Sequence, residues 1–321
     1  MRLKGISVLV TGATGFIGSH LTRQLVKEGA EVSIFIRPTS SLNKIKDSKG
    51  KINIYKVDIT DLSLLRKLVK KVKPQKVFHL AAYTDAGRSF NNIVSAIRVN
   101  VQGTMNLLSA LEEVDYSCFV NTGSSEEYGC NNVPFTEEQK VDPLSPYAAS
   151  KSANWLFCNM CYQTFSCPIV TLRPFLVYGP YQESNRFIPQ FIISALRKKD
   201  FKMTAGEQTR EFTYVTDIVE GYIRASMEEK AIGETINLCT GREYVLREVV
   251  NKIDQLMGEP IKILVGALPY RTKELWRLYG DGSKANQLLG WEPKVGLETG
   301  LQMTIKWYRK NIWFIKGGNY D

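Results

Sequence analysis

Three features of the sequence predict an α/β fold: a doubly wound parallel sheet with a smaller mixed α/β C-terminal lobe. From the N-terminus to Arg173, short apolar runs alternate with amphipathic stretches, the pattern of parallel strands wrapped by helices. A glycine-rich turn, Gly12 to Gly18, stands directly between the first apolar run and the first amphipathic stretch. After Gly179 the regularity falls, and helices mix with short strands and loops. The expected division is 1–179 for the sheet domain and 180–321 for the lobe, with some strands and helices crossing between them.

The elements follow in chain order. Val8 to Val10 is the first strand, and the amphipathic stretch Ile17 to Glu28 is the helix after the glycine turn. Glu31 to Ile36 and Ile52 to Val57 are the second and third strands, followed by a helix from Asp61 to Lys71. Lys76 to Leu80, Tyr116 to Asn121 and Ile169 to Arg173 are strands, separated by helices from Ser95 to Glu112 and Tyr147 to Thr164. In the lobe, 179 to 185 is a loop, Ile188 to Arg197 a helix and Gly206 to Thr209 a turn. Leu246 to Leu256, Ser283 to Leu289 and Leu297 to Arg309 complete the helices.

Composition bounds the function. The 321 residues, at about 150 per domain, are ample for a buried core. With 44% hydrophobic and 23% charged residues the chain is neither disordered, collagenous nor coiled-coil. The net charge of +10 comes from lysines and arginines spread over helix faces (Lys67, Lys70, Lys71, Lys73; Arg197, Lys198, Lys199), without a compact basic arm or interleaved aromatics. Neither nucleic acid nor a membrane is expected as partner. No apolar run approaches the roughly 18 residues of a membrane span, and Ile6 to Val10 is too short for a signal peptide, so a cytoplasmic location is expected. The six cysteines (Cys118, Cys130, Cys158, Cys161, Cys167, Cys239) form no disulfide framework and are expected to be buried thiols in a reducing compartment. Cys158 and Cys161 form a C-x-x-C with no second pair at zinc spacing. With His20 and His79 the sole histidines, no metal is expected.

Two motifs carry chemistry. In Gly12-Ala13-Thr14-Gly15-Phe16-Ile17-Gly18 the glycines let the backbone turn tightly and approach a pyrophosphate, leaving amides at a helix N-terminus to face the anion. A carboxylate at the end of the second strand would hold an adenosine ribose; here Arg37 stands there, followed by Pro38-Thr39-Ser40-Ser41, so NADP(H) is preferred and NAD(H) possible. Asp58, ending the third strand, is placed either to meet the adenine or to cap the following helix. In Tyr147-Ala148-Ala149-Ser150-Lys151 the i and i+4 side chains share a helix face, and a neighbouring ammonium is expected to lower the tyrosine pKa toward the working range.

These motifs, with His79-Leu80-Ala81-Ala82, Asn100-Val101-Gln102-Gly103-Thr104, Gly123-Ser124-Ser125-Glu126-Glu127-Tyr128-Gly129, Arg173 to Pro180, Arg210 to Asp217 and Leu289-Gly290-Trp291-Glu292-Pro293, run nearly end to end. Together they resemble the extended short-chain dehydrogenase/reductase family of nucleotide-sugar epimerases, dehydratases and reductases. The resemblance implies a Rossmann domain for NAD(P), a lobe for a nucleotide-diphosphate sugar, and hydride transfer at sugar C4. It places Tyr147 as proton donor or acceptor at O4, Ser124 as its hydrogen-bonding neighbour, and Lys151 on the nicotinamide ribose. Around the cofactor it places Gly12, Thr14, Gly15, Phe16, Ile17, Gly18, Arg37, Ser40, Asp58, Ile59, Leu80, Ala81, Ala82, Asn100 and Phe175. Asn100 would also support the active-site helix. Around the substrate it places Tyr83, Ser124, Leu176, Asn185, Arg186, Arg210 and Arg271, the last two on the diphosphate. The alternative for each arginine is a surface ion pair with a neighbouring carboxylate, which fits Arg271 beside Glu274 better than Arg210 inside its motif.

Ser125 and Glu126 occupy the positions where family dehydratases commonly carry an Asp-Glu acid/base pair, and GDP-mannose dehydratases carry Ser-Glu. The Gly123 to Gly129 stretch, with Arg37, looks most like the reductases that act on an NDP-4-keto-6-deoxyhexose. The leading expectation is therefore NADPH-dependent reduction of that C4 ketone, with an NDP-sugar 4-epimerase or 4,6-dehydratase as alternatives. A non-catalytic NADP sensor is a further reading, against which the intact Ser124, Tyr147 and Lys151 stand. The family also implies a homodimer through a four-helix interface of the 95–112 and 147–164 helices, using Leu107, Leu108, Leu111, Trp155, Leu156 and Met160, residues equally suited to packing on the sheet.

Overall fold

The computed structural model describes residues 1–85, 87–312 and 314. In chain order the first part carries β1 (Ser7–Thr11), α1 (Phe16–Lys27), β2 (Glu31–Ile36), β3 (Asn53–Lys56), α2 (Leu62–Val72), β4 (Lys76–His79), α3 (Phe90–Ala96), α4 (Gly103–Leu111), β5 (Cys118–Thr122), α5 (Pro146–Phe165) and β6 (Ile169–Pro174). The rest carries β7 (Val177–Tyr178), α6 (Phe187–Leu196), β8 (Phe201–Lys202), β9 (Thr209–Glu211), β10 (Thr213–Tyr214), α7 (Val215–Ala225), β11 (Thr235–Leu238), β12 (Glu243–Val245), α8 (Leu246–Met257), β13 (Ile263–Leu264), α9 (Ser283–Leu289) and α10 (Leu297–Lys310).

Seven strands pair in parallel in the order β11-β6-β5-β4-β1-β2-β3. This is the doubly wound order, whose reversal between β1 and β4 opens a crevice beyond the strand C-termini. The central strands are apolar on both faces because helices cover both. One face packs on α1, α7 and α9 through Val8, Val10, Leu21, Leu25, Ile218 and Leu289. The other packs on α2, α4 and α5 through Leu9, Val77, Phe119, Leu65, Leu107 and Cys158. A third cluster, from α6, α8 and α10, forms the core of the small lobe. The sheet's last strand, β11, comes from beyond residue 180, and α7 also returns to it. The polypeptide therefore crosses between the two parts more than once.

Local chemistry sets several boundaries. Asp61 caps α2, its carboxylate accepting from Leu64 N (3.0 Å), while Asp58 accepts from Thr60 N and Oγ1 (2.9 and 2.8 Å). The capping role weighed for Asp58 thus falls to Asp61. Ser145 caps α5 and Pro146 occupies its first turn. The long helix expected over 95–112 starts earlier, at Phe90, and is interrupted by a wider π-type turn at Ile97–Gln102. The cysteines also depart from expectation: Cys118, Cys158, Cys161 and Cys239 are buried, Cys167 is half-buried, and Cys130 is exposed in the loop beyond the site turn. Leu107, Leu108 and Leu111 lie in the core against the sheet, so that half of the expected interface face is packing. Among the described residues, no helix is long and apolar enough to cross a membrane.

Candidate active site

The glycine turn builds a cradle that admits no side chain. Gly12 has φ +71°, and a Cβ there would lie 2.6 Å from Ala81 N; one at Gly18 would overlap the Gly12 carbonyl oxygen. Gly15 caps α1 without a side-chain hydrogen bond, and the first turn of α1, with Phe16 and Ile17, holds no acidic residue. Its free amides and positive dipole end fit a dinucleotide pyrophosphate. Thr11, buried at the end of β1, accepts from Ala81 N at its hydroxyl (3.2 Å) and from Leu80 N at its carbonyl (3.2 Å), tying Leu80 and Ala81 to the turn.

Farther along the crevice, Arg37 is exposed at the end of β2, with the Ser40 N–H bonded to its carbonyl (2.9 Å). Asp58 lies within the fields of both Arg98 and Arg37. Arg98 was not anticipated from sequence: it sits in the π-type turn, whose presence no periodicity reveals. Ile59 is buried, its side chain lying where a Cβ on Gly103 would fall. The same turn aims Asn100 inward. Its Oδ1 accepts from Tyr83 N (2.7 Å) and its Nδ2 donates to Tyr83 O (3.0 Å) and Ser150 Oγ (2.8 Å). The Asn100 carbonyl is taken by Asn154 Nδ2 (2.7 Å), so Asn100 fixes α5 as expected.

The chemical group assembles where β5 meets α5. Ser124 caps the short turn Ser125–Tyr128: its Oγ accepts from Glu126 N (3.2 Å) and its N–H donates to Glu127 Oε1 (2.7 Å). Beneath it lies a buried ion pair, Glu127 with Arg173 (2.8 Å), both side chains 0% exposed. Arg173 also donates to Tyr128 OH (3.0 Å). Ser125 is buried and Glu126 half-buried on the same turn. Tyr147, half-buried, hydrogen-bonds Ser124. Lys151 Nζ donates to the Thr122 carbonyl (2.7 Å), an anchor that sequence reasoning missed.

The titration of these groups corrects one expectation. Burial pushes the Tyr147 phenol well above its ordinary value, and the Glu126 carboxyl adds to the rise, while the Ser124 hydrogen bond opposes it. Burial outweighs every opposing influence on the phenol, and the Lys151 ammonium donates to the Thr122 carbonyl. Lys151 itself is lowered to about 8 by burial, against the upward pull of Glu127. Burial raises Glu126, opposed by the positive fields of Arg186, Arg271 and Arg210. Arg210 and Arg271, expected on a diphosphate, and Arg186 thus all act electrostatically on the carboxyl beside Ser124 and Tyr147.

The ion-pair alternative falls on the other arginine. Arg210, not Arg271, holds Glu274 (2.7 Å), with both side chains little exposed. The reason is topology: the segment before Leu278 runs beside β9, with Glu211 N bonded to Leu278 O (3.0 Å). Arg271 is exposed, as are Asn185 and Arg186, whose Nη2 reaches Thr84 O (3.4 Å). Leu176 is half-buried, and Phe175 is buried in an aromatic cluster with Tyr128 and Phe135.

Comparison with known proteins identifies the family. The GDP-mannose 4,6 dehydratase family matches residues 9–304. A UDP-glucuronate 4-epimerase of Thermodesulfobacterium geofontis is 33% identical over 96% of this chain and 98% of its own length. A dTDP-D-glucose 4,6-dehydratase of Bos taurus is 32% identical over 95% of this chain and 89% of its own. The crystal structure of UDP-glucuronic acid 4-epimerase from Bacillus cereus, in complex with UDP-glucuronic acid and NAD, superposes with a TM-score of 0.85 at 29% identity, covering 94% of this chain and 99% of that one. These names are those of the two alternatives to the reductase expected above. The chain therefore belongs to the GDP-mannose 4,6 dehydratase family, among the extended short-chain dehydrogenases/reductases that act as NAD-dependent nucleotide-sugar epimerases and dehydratases.

Proposed function

We propose that the protein is an NDP-hexose 4,6-dehydratase. The observation that carries this reading is Glu126: a carboxyl raised by burial, on the turn of Ser124 and within the field of Tyr147. A 4-epimerase moves only the C4 hydrogen and the O4 proton and needs no such carboxyl. A 4,6-dehydratase must also remove the C5 proton and deliver a proton to the departing C6 hydroxyl.

Bound NAD(P) supplies the chemistry that takes a hydride from C4 and later returns one to C6. This chain's residues move the protons. Tyr147 takes the O4 proton as C4 is oxidised, with Ser124 hydrogen-bonded to the same oxygen. Glu126 takes the C5 proton, made acidic by the C4 ketone, and gives it to the C6 oxygen, which leaves as water; as hydride returns to C6, C5 takes up a proton, which balances the one that Tyr147 removed from O4. A single carboxyl suffices because it accepts and returns one proton, and its raised pKa brings it nearer the working pH. Arg186, Arg210 and Arg271 hold the diphosphate, and Lys151 keeps the nicotinamide ribose beside Tyr147.

The second reading is the NADPH-dependent 4-keto-6-deoxyhexose reductase, favoured by the strongly raised Tyr147 phenol, which stands ready as a donor, and by Ser125 in place of a second acid. NADP preference over NAD belongs to both readings and rests on Arg37. The dimer also belongs here, with its face redrawn: Phe90, Val94 and Ile97 of the α3 region join Leu156, Phe157 and Met160 of α5 as exposed apolar side chains. Sedimentation of the full chain reports it.

The test is Glu126→Gln. Dehydration predicts that the variant still oxidises an NDP-hexose at C4, seen as accumulating reduced-cofactor absorbance, while water loss falls by about 100-fold or more. Unchanged turnover in the variant would remove Glu126 from the reaction and restore the epimerase or reductase reading.

A further inference from the structure

An exposed aromatic pair lies beside β9, the strand that carries Arg210. Trp276 is 52% exposed, and its ring centroid lies 4.9 Å from that of Tyr270 at 55°. Tyr270 is held in place by its hydroxyl, which accepts from Glu207 N (3.2 Å). A half-exposed tryptophan keeps much of its apolar surface in water, free to be covered by a ligand.

Backbone pairing fixes where it sits. Thr209 N donates to Trp276 O (2.8 Å) and Glu211 N to Leu278 O (3.0 Å), so 276–278 runs beside β9 with matched steps of two residues. Alternation then sorts the side chains. Arg277 turns to Glu243 on β12 and the Thr209 side, whereas Glu274 turns to Arg210 and Leu278 turns into the cluster of Tyr128 and Phe175. Trp276 shares the parity of Glu274 and Leu278, on the side of Arg210.

We propose that Trp276, braced by Tyr270, is the stacking shelf for the nucleobase of the substrate and a specificity-determining residue of the site. This deepens the proposed function and rests on its nucleotide-sugar substrate. Arg210, Arg271 and Arg186 would read the diphosphate, and the indole face would take the base, whose π-face stacks irrespective of hydrogen-bond pattern.

Calorimetric titration of wild type, Trp276→Ala and Trp276→Phe with UDP, GDP and inorganic pyrophosphate tests it. The shelf predicts that Trp276→Ala binds one or both nucleoside diphosphates roughly tenfold or more weakly, binds pyrophosphate as wild type does, and that Trp276→Phe recovers most of the loss. Equal nucleotide affinities in wild type and Trp276→Ala would overturn the shelf, as would a parallel loss of pyrophosphate binding. If wild type binds neither nucleotide, the shelf and the proposed function fall together. If nucleotides bind through Trp276 but no hexose loses water, the reaction reading alone is wrong.

Discussion

Tyr147 and Lys151 meet because a helix brings i and i+4 together, and the sequence states that spacing openly. Replacing Tyr147 by Phe removes only the phenolic oxygen, so turnover should fall by about 100-fold or more while binding of the nucleoside diphosphate stays as it was; steady-state kinetics beside calorimetry would separate the two. The direction of the phenol's titration was not legible. It depends on burial and on Glu126, which reaches the site from a different element. The exchange of partners between Arg210 and Arg271 has the same origin. Glu274 is three residues from Arg271 in sequence, yet the segment that carries it lies along β9, next to Arg210. Neighbourhood in sequence misled where pairing between strands decided.

At the level of elements, the first six strands and most helices were readable because each has one dominant period, whereas the lobe strands β7 to β13 and the helix α7 were not located from the sequence. The Ser283–Leu289 helix matches residue for residue, and others differ by a residue or two at their ends. The π-type turn at Ile97–Gln102 was not readable, since one widened turn leaves the apolar spacing almost unchanged, and Arg98 was missed with it. Arg173, quoted as part of a motif, proved to be the buried support under the Ser124 turn, joining β6 to Glu127. Arg173→Met would leave the Glu127 carboxylate buried without its partner, at a cost of about 3–5 kcal/mol. Urea unfolding should show that loss as a lower midpoint at unchanged slope. A midpoint within experimental error of wild type would mean that the turn is held by its capping box alone.

Across the whole molecule, composition and alternation gave the two-part architecture, but not that β11 returns from the lobe side to complete the sheet. The connection through β9 to this strand's end is joined by Glu211, fully buried, which accepts from the backbone N–H groups of Thr240 and Gly280. Burial raises its carboxyl to about 7 from an ordinary 4.5. Between those two values the folded chain holds the proton that the unfolded chain has lost, so this carboxyl's contribution to stability is full below about 4.5 and is lost as pH rises through about 7. Melting temperatures of wild type and Glu211→Gln should therefore diverge over that window, wild type falling relative to the variant; parallel curves would contradict the assignment. The central claim, that this site removes water from an NDP-hexose with a cofactor it recycles, is met most directly by mass spectrometry of GDP-, UDP-, dTDP- and CDP-hexoses incubated with the protein and NADP or NAD, without added reductant. Dehydration predicts a product lighter by one water and no net change in cofactor oxidation state. A product of unchanged mass with inverted C4, or no reaction until NADPH and a 4-keto-6-deoxy sugar are supplied, would contradict it.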